Sequence, residues 1–568
     1  MSGPGSENIL LSALANLPQP TASTPLSVRS GPQMNQCMSP FLRLPRETVQ
    51  EIFSLCTLYD SYRYNTYSKH PIPFIYLGHI CGELRSTLLG MHNIWADVVC
   101  ALDDIEIVRE LVQRAASSPL TTVMTRTTFP DESIRFVASR FQQARVIKIS
   151  SARVIRMVLN DLEGAHLPLL EDLVFDNGAL STIRTTPETV DAQSLTIRCF
   201  DRATMGTGIP FVTPNLKRLR MMNAILPLPL SLSNLCDLRL DVSPPESPMW
   251  AAYLLRILRL CASVRTLELK NMRFPLVLTM NEKRVALPEI RLLDIAGDTQ
   301  CLMWFWSQIT VPSDARVLMD VADVASDDES ITWDFINSLS SHMHGNDART
   351  VTGFSIFPST VESDLFFGLY VTAESSLPGR DDHRFSPLYH GYRRVLDVRL
   401  SWCEVNMENI LHYMNRLRDI FDLSEVETLE IGTLEEYHTP EEEKDDEDFV
   451  GYEQWLSVFP NIRHLCLSSN PYLACTALGP NATDKQPIYP HLRSLTLLNA
   501  MFDENELNSF LMMLKERACS GTGLEELKFA FCDAGALGLG DDMVSQSFRT
   551  TVQSLVPSVE FGLLNGVY

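Results

Sequence analysis

From about residue 120 onward the chain repeats one short pattern: an apolar residue, a second three positions later and a third two beyond that. The clear cases are Leu170-Leu173-Phe175, Leu216-Leu219-Met221, Leu235-Leu238-Leu240, Val264-Leu267-Leu269, Ile290-Leu293-Ile295, Val395-Val398-Leu400, Val426-Leu429-Ile431, Ile462-Leu465-Leu467, Leu492-Leu495-Leu497 and Leu524-Leu527-Phe529. Weaker ones are Ala144-Ile147-Ile149, Ala192-Leu195-Ile197 and Val556-Val559-Phe561. Side chains alternate along a strand, so the last two members share one face, and the first packs at the turn into the strand. A single such unit cannot bury its apolar face alone, so neighbours must stack. Helical stretches fill several late intervals: Ile410 to Phe421, Leu507 to Ala518 and Phe548 to Leu555. The expected fold class is α/β: an irregular leucine-rich-repeat solenoid over 119–568, parallel strands on a concave face and helices outside. The 105 positions from Leu293 to Val398 carry no clear triplet, so the repeat count between 296 and 392 stays open. A compact α/β domain is the alternative.

The N-terminal pattern is different. Residues 1–40 are rich in Ser, Pro and Gly without periodicity and are expected to be a disordered tail. A helix signal begins at Leu44-Pro45, since proline suits the first turn. Val49, Ile52, Phe53 and Cys56 then form one apolar stripe. Phe74, Leu77, Cys81, Leu84 and Leu88 are spaced for a second helix, Ile94-Trp95 adds a bulky closure, and Ile105 to Ala115 gives a third helix. A small helical module with a linker helix is therefore expected over 41–118.

Charge and cysteines narrow the function classes. The formal net charge is −23, which repels phosphate backbones, so nucleic acid is not an expected partner. Thirteen cysteines are scattered with no Cys-x-x-Cys pair, which points to a reducing compartment, cytoplasm or nucleus. The most apolar run, Met249 to Val264, carries Arg256 and Arg259, so no membrane span is expected. The N-terminus has no positive charge before its short apolar patch and does not read as a secretory signal. No phosphate loop, nucleophile elbow or zinc-binding helix motif occurs, so neither an enzyme nor a cofactor is expected. His342 and His344 read as loop residues rather than metal ligands. Asn481-Ala482-Thr483 reads as an unused glycosylation acceptor. Residues 435–448 hold nine acidic residues and one lysine, an expected solvated loop insertion.

The stretch Leu44 to Trp95 resembles the F-box, in the divergent form common in basidiomycete fungi. The matching residues are Leu44-Pro45, Val49, Ile52-Phe53, Leu77 to Cys81, Leu84-Arg85, Leu88 and Ile94-Trp95. Gly82-Glu83-Leu84 stands where the family usually has Arg-Arg-Trp, and Asn93 where it has proline. The resemblance implies the substrate receptor of a Skp–cullin–F-box ubiquitin ligase. Leu44, Pro45, Val49, Ile52, Phe53, Leu77, Cys81 and Trp95 would then meet the Skp adaptor, and through it cullin, while the repeats hold a protein substrate. The same residues also suit a plain helical cap on a repeat scaffold without any role in ubiquitination.

In a stacked fold, the residue between the last two triplet positions faces the concave surface. That row reads Val174, Arg220, Arg239, Glu268, Asp294, Arg399, Glu430, Cys466, Thr496 and Lys528. Arg220 and Arg239 are expected to form a basic patch beside an acidic one from Glu268 and Asp294, a surface for a mixed-charge protein segment. The bland alternative is mutual neutralisation of Arg239 and Glu268.

Overall fold

The computed structural model describes residues 44–63, 73–125, 129–176, 211–222, 232–241, 249–272, 283–324, 329–343, 351–359, 364–372, 392–402, 407–432, 454, 456–468, 471–480, 487–500, 502, 504–532 and 543–563. The Ala192-Leu195-Ile197 triplet, the 1–40 tail, the 435–448 segment and Asn481 lie outside them, as do the side chains of His342 and His344. The chain divides into two compact units, Met1–Leu235 and Cys236–Tyr568.

The first unit opens with helix α1 (Arg46–Arg63), a 3-10 helix (Pro73–His79), α2 (Gly82–Leu89), α3 (His92–Asp97) and α4 (Ile105–Ala115). The expected second helix is thus broken at Ile80–Cys81, and Cys81 becomes its cap, Sγ accepting from Leu84 N at 3.5 Å. Helix α4 starts where Asp104 Oδ1 accepts from the Glu106 and Ile107 amides at 2.8 and 3.2 Å. Strand β1 (Leu120–Met124), α5 (Asp131–Ala138), β2 (Ala144–Ile149), α6 (Ala152–Leu162), β3 (Asp172–Asp176) and β4 (Arg218–Met222) follow. Strands β1 to β4 pair in parallel in chain order. Asp97 ties α3 to this sheet, accepting from Thr121 Oγ1 at 2.7 Å and meeting Arg145 at 3.4 Å.

The second unit holds β5 (Asp237–Asp241), α7 (Met249–Leu260), β6 (Thr266–Met272), β7 (Val285–Ala286), β8 (Leu292–Asp298), α8 (Thr299–Gln308), β9 (Ile309–Thr310) and β10 (Arg316–Val324). Then come α9 (Glu329–Met343), β11 (Gly353–Ser359), β12 (Asp364–Thr372), β13 (Tyr392–Trp402), α10 (Met407–Phe421), β14 (Thr428–Gly432) and β15 (His464–Ser468). The unit ends with α11 (Pro471–Leu478), β16 (Ser494–Leu498), α12 (Glu504–Ser520), β17 (Glu526–Cys532), α13 (Met543–Leu555) and β18 (Ser558–Leu563). Its large sheet runs β5-β6-β8-β10-β13-β12-β11-β14-β15-β16-β17-β18, and β7 pairs separately with β9. All pairings in the large sheet are parallel except those of β12 with β11 and β13. The chain leaves β10, skips two places to lay down β11 beside the position of β14, and returns through β12 and β13 to β10. Strands β11 and β12 of this reversed meander fall in the interval in which no clear triplet occurs.

The triplet residues sit as their spacing requires. Leu219, Leu267, Leu465 and Leu495 are buried on short parallel strands. Several first members lie on turns, where Leu235 N donates to Leu232 O at 3.0 Å and Leu492 N to Tyr489 O at 3.2 Å, whereas Val395 lies within β13. Successive turns are stitched by backbone bonds: Arg463 N donates to Glu427 O, Arg493 N to Arg463 O and Glu525 N to Arg493 O, each at 2.8 Å. Phe529 of β17 shows how the core closes. Its ring lies 6.4 Å from Phe510 of α12, 6.0 Å from Phe548 of α13 and 5.1 Å from Phe561 of β18. Among the described residues, no helix is long and apolar enough to cross a membrane. Nine cysteines there, Cys100 and Cys261 among them, are free thiols.

Two strand ends use asparagine for a backbone conformation that few residues adopt. Asn271 and Asn499 have φ of 56° and 50°, a left-handed turn that asparagine tolerates best after glycine. At Gly297 in β8 a Cβ would lie 2.4 Å from the Met272 carbonyl oxygen of β6. Gly297→Ala is therefore expected to destabilise the second unit by about 1–3 kcal/mol, because backbone must move. Urea unfolding checks this, and an unchanged midpoint would contradict the close approach.

Candidate partner-binding surfaces

The eight residues expected at an adaptor interface divide into two sets. Val49, Phe53 and Trp95 are buried inside the helical module. Trp95 is fully enclosed; its ring meets Phe74 edge-on at 5.6 Å, its Nε1 donates to Leu88 O at 3.0 Å, and the Arg114 guanidinium covers it at 5.0 Å. These three side chains hold α1, the 3-10 helix, α2 and α3 together and lie in the module's own core rather than on its surface. A small helical unit has few large side chains with which to build its own core, and it uses the largest here.

Leu44 and Pro45 are exposed, and Ile52, Leu77 and Cys81 are half-buried. Three further apolar side chains of the module are open to solvent: Leu55 at 57%, Tyr76 at 52% and Ile80 at 67% exposure. The helical periodicity counted Leu55 outside the stripe and gave Tyr76 and Ile80 no role. Tyr76 lies on the 3-10 helix and Ile80 follows it at the break before Cys81. Of the eight large apolar residues classed as exposed among the described residues, Leu44, Leu55, Tyr76 and Ile80 all belong to this module.

The strand row differs from its expected surface. Arg220 is exposed on β4 in the first unit, and the other residues of the proposed patches belong to the second unit. There the charges interleave. Arg239 Nε and Nη2 donate to the two carboxylate oxygens of Asp237 at 3.1 and 3.3 Å, and Nη1 meets Glu268 at 3.1 Å. The bond to Asp237, then the nearby Glu268 and Asp294, holds the Arg239 guanidinium above its usual range against the opposing effect of burial. Lys270 pairs with Asp294 at 2.5 Å, Arg316 with Asp397 at 3.3 Å and Arg399 with Asp320 at 3.9 Å. Within the second unit Arg239, Glu268 and Asp294 are thus locally neutralised, as cross-strand neighbours of opposite sign minimise their energy. Because the Arg239 and Glu268 side chains keep 40% and 25% of their exposure, Glu268→Gln is expected to cost at most about 1 kcal/mol, read by urea unfolding. A loss above 3 kcal/mol would mean the pair is effectively buried.

Further along the row, Glu430, Cys466 and Thr496 are buried, not displayed on an open face. Their neighbours Thr428, Ser494 and Ser355 are buried too. The face is therefore half-open over β5, β6, β8, β10 and β13 and closed at these positions of β11, β14, β15 and β16. At β17 and β18 it is charged again, with Lys528 between Glu526 at 3.1 Å and Glu560 at 3.8 Å.

A polar cleft lies at the turns that feed β14 to β17. It has a volume of about 410 Å³ and is lined by Glu425, Glu427, Asn461, Arg463, His491 and Arg493, with Thr522 and its flanking glycines. Beneath it Arg517 of α12 is buried, Nη2 donating to Tyr489 O at 2.8 Å and Nε to Thr522 O at 3.1 Å. Burial pushes its pKa down to about 10, which leaves it charged at neutral pH. No known family model matches the chain, and no curated protein matches its sequence.

Proposed function

We propose that the chain is a substrate-recognition subunit of a Skp–cullin–F-box ubiquitin ligase. The helical module binds the Skp adaptor, and the strands that follow form an irregular leucine-rich-repeat region that holds a protein substrate. The observation that carries this reading is the set of exposed apolar side chains Leu44, Leu55, Tyr76 and Ile80 on one small module. Solvated apolar groups gathered on one small module favour a partner surface. The stitched turns and triplet burial support the repeat reading, in which each unit buries the apolar face of the next. The chain itself performs no chemistry in this role and works in the cytoplasm or nucleus, where thiols stay reduced.

One observation favours the second reading, a repeat scaffold with a helical cap. Val49, Phe53 and Trp95, which the F-box resemblance assigns to the adaptor, are in the module's own core. Replacement of Leu44 and Pro45 by alanine separates the two. It is expected to weaken adaptor binding by about 2 kcal/mol or more, since truncated hot-spot side chains cost that much. Adaptor affinity that stays the same in the double variant favours the scaffold.

A further inference from the structure

The cleft at the turns before β14 to β17 has an ordered charge pattern. Four stacked turns place Glu427, Arg463, Arg493 and Glu525 in one row, each bonded through the backbone to the one before at 2.8 Å. Arg463 leans to Glu427 at 3.2 Å, and Arg493 leans the other way to Glu525 at 3.8 Å. The two guanidiniums therefore part around the centre of the row while remaining 48% and 58% exposed. A second row runs Glu425, Asn461, His491, Gly523, one residue before the first apolar position of each triplet. Its asparagines are latches elsewhere: Asn461 donates to Ser424 O at 2.8 Å, as Asn215 does to Pro168 O and Asn234 to Pro214 O at 2.7 Å. His491 stands in the same row without such a bond among the described residues, exposed and lining the cleft. The centre of the row is thus basic and its ends are acidic, Glu427 within the cleft lining and Glu525 one strand beyond it.

Spacing turns this pattern into a ligand. Adjacent strands lie about 4.8 Å apart, so the outer glutamates sit about 7 Å either side of the midpoint between the arginines. In an extended chain a residue and its second neighbour are also about 7 Å apart and point the same way. We propose that the cleft receives an extended protein segment with one anionic residue, phosphorylated or carboxylate, and a basic residue two positions before and two after it. Arg463 and Arg493 grip the anion with forked donors, His491 adds a third, and Glu427 and Glu525 take the flanking cations. Exposed ion pairs such as Arg463–Glu427 are weak and are readily exchanged for these contacts. The inference names the substrate class for the repeat region proposed above and rests on that reading.

Fluorescence anisotropy with the full chain tests it, using a Lys-x-phosphoSer-x-Lys peptide, its Glu counterpart and a peptide with both lysines changed to glutamate. The first two are expected to bind, the tighter naming the natural anion, and the third is not. Arg463→Glu and Arg493→Glu should each weaken binding about tenfold or more, the scale of one lost charge-assisted hydrogen bond. Both side chains are exposed, so the melting temperature should not move. Equal binding of all three peptides, an unchanged affinity in the double variant, or inorganic phosphate competing as well as the whole peptide would overturn the proposal. Adaptor binding, measured on the same samples, reports separately on the ligase reading.

Discussion

Replacing Leu55 and Ile80 together by aspartate is expected to abolish adaptor capture while leaving the melting temperature of the chain unchanged. Both side chains are more than half exposed, so neither contributes much to the module's own core. Aspartate at an apolar interface core places an unpaired charge where water is excluded, and each such charge costs several kcal/mol. Two are enough to take a micromolar complex beyond detection. Differential scanning fluorimetry and adaptor pulldown on the same protein read the two effects. A variant that still binds shows that these residues are ordinary surface. One that melts early shows that they are buried in the free chain.

Trp95→Ala should do the opposite. This residue is wholly buried, carries a hydrogen bond to Leu88 O and sits between Phe74 and Arg114. Truncating it leaves a cavity and removes one of the hydrogen bonds to Leu88 O, which the Met91 amide still meets at 3.1 Å, an expected loss of about 3–5 kcal/mol. Adaptor binding would fall only because the module unfolds, so the loss should be reversed by lowering the temperature. Urea unfolding followed by the helical signal checks the stability change. A change below 1 kcal/mol would contradict the packing described for α1 to α3.

The two variants mark where sequence and structure part. Strands were legible because Leu219, Leu267, Leu465 and Leu495 repeat at a spacing that only a short strand entered from a turn satisfies. Helices α4, α10 and α12 were legible from their period. The sense of the N-terminal stripe was not. A helical period puts Val49 and Phe53 on one apolar face, and Trp95 adds a bulky apolar closure, but neither signal says whether the covering surface is internal or a partner's. The break at Ile80–Cys81 has no strong breaker in the sequence beyond Gly78 and Gly82.

The interval before β13 was illegible for a different reason. Strands β11 and β12 form an antiparallel pair, so Phe354, Ile356, Phe367 and Leu369 are buried by alternation rather than in triplets. Ser355 and Gly368, between them, are buried as well. The strand row failed at Glu430, Cys466 and Thr496 because a polar residue on a strand says nothing about what lies over it. The cleft was within reach: the asparagines before Leu216, Leu235 and Ile462 recur, and His491 stands at the same place before Leu492.

The most direct measurement is the affinity of the purified full chain for the isolated Skp adaptor by isothermal titration calorimetry. A one-to-one complex with a Kd of about 1 μM or tighter is expected, lost in the Leu55→Asp, Ile80→Asp variant. No heat of binding with the folded wild-type chain would contradict it, and would leave the helical module a cap on its own fold.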